Sequence, residues 1–585
     1  MGFGGLADLL GAAGGKADTG LPPVTQRVIE IDGKKLSEEL EGQVISTTVI
    51  DRLLMPDTFV IVLRDPGHTV LSEAGIKIGS KVKISTSEPG ADGTETLIIG
   101  EITSIEAEYD LLGMRAIVRG YDLMHRLSAG RKTRTFENVT YADIVVEVAD
   151  GAGLSASVDA SGGTFEHVTQ ANQSDLDFVY QLSRKAGFNV TVDDDSLEFR
   201  KVTQSRSAPG PGTAETAKAT QLVWGNNLLE FRARVSAVSQ VEEVKVRGWD
   251  IKAKEVVIGK AEAETTSADL AMNPLELAEA VGGKTLVVVD QPVGDQGAAD
   301  DLAKAIAEQV ASSAYEATAV VVGSHLLKAG VAVTVSGVDD ELAGGWVITT
   351  ARHEFGQGAY RTHLEFSGRQ DRSLHGLVAG GLSTPAARTT VPGVVIGVVT
   401  DNNDPDKLGR VRVKFPWMAD DAETHWARVA RPSAGKDYGF LWFPESNEEV
   451  LVAFQHGDVR YPYVIGSLWN GQDTPPSALM DGLVDRSGKV QRHAIATPSG
   501  HKIVFYDDDK SDGIIVVTKD NKISIKLDQM NKKLILTCDG AALEIETSGD
   551  LQLKADGAIK IEAGKTLDLK ANGNTTIKGA QVAIN

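Results

Sequence analysis

A repeat of apolar pairs near the end of the sequence limits the possible folds more than any other feature. Paired aliphatic residues recur every eight residues, separated by turn residues such as Gly549 and Gly557. The pairs are Leu543/Ile545, Leu551/Leu553, Ile559/Ile561 and Leu567/Leu569, followed by Thr575/Ile577 in register and Val582/Ile584 shifted by one. An eight-residue period is typical of short stacked strands along an axis, and it disfavours a globular domain.

One such array of strands has no second layer against which to bury its apolar side chains. Copies from several chains around an axis would bury them and pair the strand edges. We therefore predict a trimeric, triple-stranded β-helical needle over 514–585, where ten lysines nearly balance nine acidic residues. Its predicted core consists of Leu543, Ile545, Leu551, Leu553, Ile559, Ile561, Leu567, Leu569 and Ile577.

The rest of the 585 residues is too long for one hydrophobic core, and it separates by pattern into several regions. Alternating strand patterns dominate two of them, helices a third, and a Gly/Pro-rich stretch reads as a linker. The predicted regions are a flexible tail (1–23), a first strand-rich barrel (24–135), a helical α+β insertion and loop (136–220), a second strand-rich barrel (221–374), a linker (375–393), a small barrel (394–475), a transition segment (476–513) and the needle (514–585). The fold class is mainly β with minor α.

Capping residues locate the predicted helices. Thr140 followed by Asp143 favours a helix start, and Ser174 begins a second helix that stops at Gly187. Between residues 297 and 314, small and aliphatic residues recur on one face of a third predicted helix.

Residues 394–470 contain short strands and four of the seven tryptophans. In GRVRVKFPW, apolar and basic residues alternate strictly, as in a strand with one buried face. A span of about 80 residues with this pattern fits a small closed barrel of the oligonucleotide/oligosaccharide-binding (OB) type. Its predicted core consists of Val411, Val413, Phe415, Trp417, Trp426 and Trp442.

Net charge and cysteine content exclude several functions. A charge of −22 argues against a nucleic-acid partner and against spontaneous binding to anionic lipid. Cys538 is the only cysteine, so no intramolecular disulfide or thiolate metal cluster is expected. The first residues lack the basic region of a signal peptide, which predicts synthesis in the cytoplasm.

Several residue groups could be proposed as catalytic, metal or binding sites. The runs Asp193–Asp195 and Asp507–Asp509 lie in predicted turns, whereas a hydrolase needs two carboxylates fixed across a cleft. His353 and His363 lack a third metal ligand. We therefore predict no catalytic residue, cofactor or metal. A basic platform for nucleic acid or glycan is also conceivable in the small barrel, from Arg410, Arg412, Lys414 and Trp417, but a structural collar is the favoured interpretation.

The small barrel resembles the domain shared by VgrG proteins and contractile-phage spikes. The resemblance lies in DNNDPDKLGRVRVKFPW, HWARVARPSAGKDYGFLWFPESNEEVLVAFQHGD and YPYVIGSLWNGQDTPP, between 393 and 476. PSGHKIVFYDD is similar to the family's transition into the needle. QSDLDFVYQLSRKAGFNVTVDDDSLEFRK and GGWVITTARHEFGQGAYRTHLEFSG are similar to its hub. The resemblance implies two hub barrels, an OB-fold collar and a triple-stranded β-helix.

In function, the resemblance implies the central spike of a contractile injection system, a homotrimer that templates the inner tube and pierces the target envelope. Implied partners are inner-tube and tube-initiator proteins, baseplate proteins, a PAAR-type tip protein and cargo effectors. The target membrane is met only mechanically. No inserted lysozyme domain is visible between barrel and needle, so no enzymatic activity is expected. The alternative is a trimeric tail spike that binds glycan or hydrolyses peptidoglycan. Type VI machines, tailocins and extracellular particles all remain compatible.

Overall fold

The computed structural model describes residues 25–53, 55–87, 93–111, 113–210, 220–356, 359–369, 391–419, 423–508 and 511–584. The predicted tail, 1–23, and residues 375–390 of the predicted linker lie outside the described residues. The chain divides into two compact units, 1–468 and 469–585. Its secondary structure is mainly β, as the sequence predicts.

Eleven antiparallel strands of the first unit form its largest sheet. In sheet order they are β14 (Leu228–Val235), β19 (Tyr315–Val322), β23 (Ala359–Phe366), β22 (Thr350–Gly356), β3 (Val44–Arg52), β4 (Thr58–Arg64), β7 (Gly113–Asp122), β6 (Glu95–Asp110), β5 (Lys81–Ser87), β1 (Gln26–Ile31) and β2 (Lys34–Lys35). Short helices α1 (Glu38–Gln43) and α2 (Val70–Glu73) interrupt the strands of the first hub region.

The two predicted hub regions meet within this sheet, where β3 pairs with β22 and Val49 lies opposite His353. Two hydrophobic cores lie against the sheet, and Phe355 of the second region contributes to the first of them. Phe59, Ile61 and Leu63 alternate into the first core, while Trp346 lies in the second. The hub strands therefore share one continuous ladder over two separate cores. A smaller sheet completes the second region, formed by β13 (Gln221–Val223), β20 (Ala332–Ser336), β21 (Gly344–Val347) and β17 (Ala268–Leu270).

Two helices with the predicted caps build the insertion. Helix α3 (Tyr141–Gly151) begins at Thr140, whose side chain forms a capping box with Asp143. Helix α4 (Asp175–Ala186) begins at Ser174 and ends at Gly187, which has a φ of 68°. Both helix predictions are confirmed. They pack with strands β8 (Lys132–Val139), β9 (Ser155–Val158), β10 (Phe165–Gln173), β11 (Phe188–Asp193) and β12 (Ser196–Lys201) around one core.

The third predicted helix is also confirmed, as α6 (Gln296–Ser312), which follows the short α5 (Pro274–Ala280). Helix α6 covers one face of a three-stranded sheet of β16 (Glu255–Glu262), β15 (Glu243–Asp250) and β18 (Thr285–Val288). Gly259 permits this close packing, because a Cβ there would lie 2.0 Å from the carbonyl oxygen of Ala299. Only glycine allows helix and sheet to approach so closely at this point.

A closed five-stranded barrel follows. Its strands, in order around the barrel, are β24 (Val394–Asp401), β25 (Arg410–Lys414), β26 (Ala427–Val429), β30 (Pro462–Ser467) and β29 (Glu449–Phe454), with a hairpin of β27 (Ala434–Gly435) and β28 (Tyr438–Gly439) between β26 and β29.

The second unit contains one antiparallel sheet whose five strands follow each other in sequence. After helix α7 (Ser477–Met480) come β31 (Arg492–Ala496), β32 (Lys502–Asp508), β33 (Ser511–Val517), β34 (Ile523–Asp528) and β35 (Lys533–Cys538). Among the described residues after Cys538, up to 584, no strand pairs within the chain.

The contact at Gly259 predicts an asymmetry between two strand glycines. Gly259→Ala should destabilise the hub by about 1–3 kcal/mol, because the methyl group pushes α6 away from β16. Gly466→Ala is the matched control, since a Cβ on that strand residue meets no atom within 4 Å. Thermal unfolding of the two variants and the parent would measure the difference. Equal melting temperatures for all three would refute the packing argument.

Candidate functional site

The collar barrel is filled by the side chains that alternate inward from its strands. Val411 and Val413 of β25 are fully buried and Phe415 nearly so, packed against aliphatic residues of β24, β29 and β30. Arg410 and Arg412 point to the other face of the same strand, as the period of two requires.

Two tryptophans predicted for this core lie outside it. The side chains of Trp417 and Trp442 are 53% and 44% exposed, while Trp426 is half-buried. Trp417 lies beyond the end of β25, and its Nε1 donates a hydrogen bond to the carbonyl oxygen of Ile396 at 2.7 Å. The prediction was wrong because a barrel of five short strands is filled by valine and phenylalanine, and an indole N–H needs a polar partner.

A carboxylate organises the loop that enters β25. The Asp404 carboxylate accepts hydrogen bonds from the backbone N–H groups of Leu408, at 2.8 Å, and Arg410, at 3.2 Å. It also accepts from the Arg410 guanidinium, at 2.7 and 3.0 Å. Hydrogen bonds from the Arg410 side chain, and then from the backbone N–H groups of Arg410 and Asp406, lower the pKa of Asp404 to about 2. The pair therefore fixes the turn that aligns the first basic residue of the strand.

The basic face of β25 is largely occupied by contacts inside the protein. Arg410 also pairs with Asp406 at 2.7 Å. Arg412 forms an ion pair with Glu137 of the insertion, and its Nη1 lies 3.4 Å from a Glu423 oxygen. A nucleic-acid platform requires cations that are free to meet phosphates. The arrangement instead supports a structural role, in which the collar barrel is anchored to the insertion.

An ion pair in the turn between β29 and β30 was not among the sequence predictions. Arg460 donates to both carboxylate oxygens of Asp458, at 2.6 Å from Nη2 and 3.0 Å from Nε. Burial raises the pKa of Asp458, but Arg460 outweighs burial, so the pKa is lowered overall. The Asp-Val-Arg spacing is the sequence signal that could have indicated this contact. The fork of the guanidinium makes such bidentate pairs geometrically specific.

The two histidines considered as metal ligands point away from each other. His353 is 1% exposed, and its Nδ1 lies 2.8 Å from the Tyr360 hydroxyl. Burial lowers the pKa of His353 to about 3. His363 faces the opposite side of the sheet and lies 3.0 Å from Glu354. Across the described residues, no group of three or more His, Cys, Asp or Glu side chains is placed to hold a metal ion.

The described residues of the two aspartate runs, which begin at Asp193 and Asp507, lie in different secondary structure. Asp193 ends β11 and Asp194, with a φ of 55°, forms the predicted turn. Asp507 and Asp508 do not lie in a turn. They continue β32 and pair with β33, where Asp508 lies opposite Ser511. The turn prediction was wrong there because pairing with the neighbouring strand overrides the low strand propensity of aspartate. Asp509 lies outside the described residues.

The predicted needle residues have no core within one chain. Their side chains are all exposed, from 53% for Leu567 to 71% for Leu569. In the described part of the second unit, Val504 is the only buried hydrophobic residue. The sheet of β31–β35 likewise exposes Phe505, Ile525 and Leu536. Contiguous apolar exposure on this scale is uncommon in soluble monomers.

No described helix is both long and apolar enough to cross a membrane.

Sequence comparisons relate the collar barrel, and part of the rest of the chain, to known proteins. The family model of the type VI secretion system/phage-baseplate injector OB domain matches residues 395–469. The spike protein VgrG1c of Pseudomonas aeruginosa is 28% identical over 177 residues, covering 28% of this chain and 24% of that protein. VgrG2a of the same organism is 37% identical over 91 residues, covering 15% and 11%. The matched stretches thus span about a quarter or less of these relatives.

A solved Francisella PdpA–VgrG complex has the same fold, with a TM-score of 0.51 at 9% identity, covering 88% of this chain and 80% of the solved one. Together these findings define a VgrG-like hub-and-spike protein of the type VI secretion and phage-baseplate class. The family model of the Alg8 N-terminal domain matches residues 25–357, more than half of the chain. The chain belongs to that family.

The Asp404–Arg410 pair predicts a pH-dependent contribution to collar stability. Because the pKa of Asp404 is lowered to about 2 from its ordinary 3.8, the stabilisation is full above about pH 4 and is lost as pH falls towards 2. Asp404→Asn should therefore melt below the parent protein at pH 6, with the gap closing near pH 2. Thermal unfolding at pH 6, 4 and 2.5 measures the gap. A gap that is constant with pH would contradict the assignment.

Proposed function

We propose that the chain is a non-enzymatic structural spike that acts as a homotrimer, with hub, collar and needle contributed by each copy. The observation that carries the proposal is the missing core of the second unit. A unit of 117 residues, Trp469–Asn585, with one buried hydrophobic side chain among its described residues cannot offset the entropy of ordering its backbone.

Three copies around one axis supply the missing layer. The eight-residue period places the pairs from Leu543/Ile545 to Leu567/Leu569 at equivalent positions along such an axis, so these successive layers would bury the same kind of side chain. Strand edges that are unpaired within one chain would then pair between chains. A needle with all backbone groups paired is stiff, and stiffness is the property that mechanical piercing needs.

The hub supports the second part of the proposal. A continuous eleven-stranded sheet over two cores gives a rigid body on which an inner tube can be initiated. Baseplate and tube-initiator proteins, a PAAR-type tip and cargo effectors are the proposed partners. The Francisella relative of this fold occurs in a complex with PdpA, which is consistent with such assembly. The particle would be assembled from protein made in the cytoplasm.

Mass measurement of the purified full-length chain tests the trimer directly. The expected mass is three times 62.1 kDa. Replacing Leu551 and Leu553 together by aspartate should release monomers, because each trimer would bury six unpaired carboxylates. Gln552→Asp, between them and facing away from the apolar pair when the segment is extended, is the matched control and should leave the trimer intact.

A monomeric parent protein that unfolds cooperatively would overturn the proposal, as would a trimer unaffected by the double substitution. The same preparation should release no fragments from peptidoglycan. Hydrolysis of peptidoglycan by this preparation would favour the alternative, a tail spike with hydrolase activity, over a purely structural spike.

A further inference from the structure

Two histidines face each other where the insertion meets the collar barrel. His167 lies in β10 of the insertion, and His425 lies just before β26 of the collar. Their ring centroids are 6.1 Å apart. Within the first unit they are the closest contact between two imidazole rings that the described residues provide.

Each ring lies close to an oxygen atom on the other element. Nε2 of His167 lies 3.2 Å from the backbone carbonyl oxygen of Glu423, in the collar. Nε2 of His425 lies 3.1 Å from a carboxylate oxygen of Glu166, in the insertion. The two contacts are reciprocal, so both rings hold the same two elements together. A neutral imidazole can donate its single N–H group to the Glu423 carbonyl, whereas the contact of His425 with Glu166 is an ion pair only when that ring is protonated.

Charged groups from both sides surround the pair. From the insertion come Glu137 and Glu166, and from the collar come Glu423, Arg412 and Arg410. Arg412 already pairs with Glu137 and Glu423, and Arg410 already pairs with Asp404 and Asp406. Of these charged groups, only Glu166 has an imidazole ring, that of His425, as its main contact. Protonating both rings would therefore add two positive charges 6.1 Å apart. They would lie beside Arg412, which already pairs with the nearby carboxylates of Glu137 and Glu423.

The directions in which the pKa values of His167 and His425 are shifted agree with this geometry. Burial, and then the neighbouring His425, lower the pKa of His167. Burial and the two arginines also lower the pKa of His425, against the opposing effect of Glu166. A histidine whose pKa is lowered by a contact stabilises that contact above its ordinary pKa of about 6.5, and the stabilisation is lost as pH falls.

We propose that His167 and His425 form a proton-sensitive latch between the hub insertion and the collar barrel, closed when both rings are neutral and weakened on acidification. The proposal goes beyond the proposed function and does not depend on it, since the contact lies within one chain. In a spike, such a latch would loosen the collar from the insertion in an acidic compartment while leaving the barrel itself folded.

Hydrogen exchange measured by mass spectrometry on the full-length protein tests the latch. Protection of 165–170 and 423–429, corrected for intrinsic exchange rates, should fall between pH 7.5 and pH 5. The fall should be roughly tenfold for each unit by which the contact lowers a ring's pKa. Protection of the barrel strand 449–454 should stay constant, and this segment is the internal reference.

The double variant His167→Gln/His425→Gln should lose this pH dependence, because glutamine keeps an N–H donor and cannot be protonated in this range. His501→Gln, at an exposed position in the second unit, is the matched control and should behave as the parent protein does. Unchanged or increased protection of the parent protein at pH 5 would overturn the proposal even if the double variant does not fold. An equal fall in the double variant would also overturn it.

Discussion

The hydrophobic pairs between 543 and 584 are exposed among the described residues of their own chain, and the fold proposed for the second unit depends on that constraint. Burial of apolar side chains is the main favourable contribution to folding. Among the described residues of the second unit, a single copy buries only one such side chain, that of Val504. In the proposed trimer, equivalent side chains of the three copies would bury one another along the common axis.

The first unit differs, because its five separate hydrophobic cores are each formed by residues of one chain. Two hub cores, the insertion core, the α6 layer and the collar barrel each bury their own side chains. Polar contacts then join them. Arg412 connects the collar to Glu137 of the insertion, and the two histidines lie beside that pair. Partly exposed ion pairs of this kind add little net stability.

Local patterns predicted several elements correctly. Thr140 with Asp143, and Ser174 with Gly187, located two helices because capping depends on residues that are neighbours in the sequence. The alternation in GRVRVKFPW likewise indicated which side chains of β25 turn inward. The errors arose where the outcome depends on distant residues. Trp417 and Trp442 are typical core residues by type, yet the small barrel is already filled by smaller side chains. Asp507 and Asp508 are typical turn residues, yet a neighbouring strand pairs with them.

The sequence by itself determined the class of fold, the capping residues of helices α3 and α4 and the eight-residue period of the apolar pairs, because each follows from the spacing of side chains along one segment. Only the tertiary structure decided which charges meet. Asp458 with Arg460 could have been inferred from their spacing, but Arg412 with Glu137, and His167 with His425, join residues more than 250 positions apart. Chain topology brings them together, and the electrostatic consequences depend on burial and distance, which no linear pattern records.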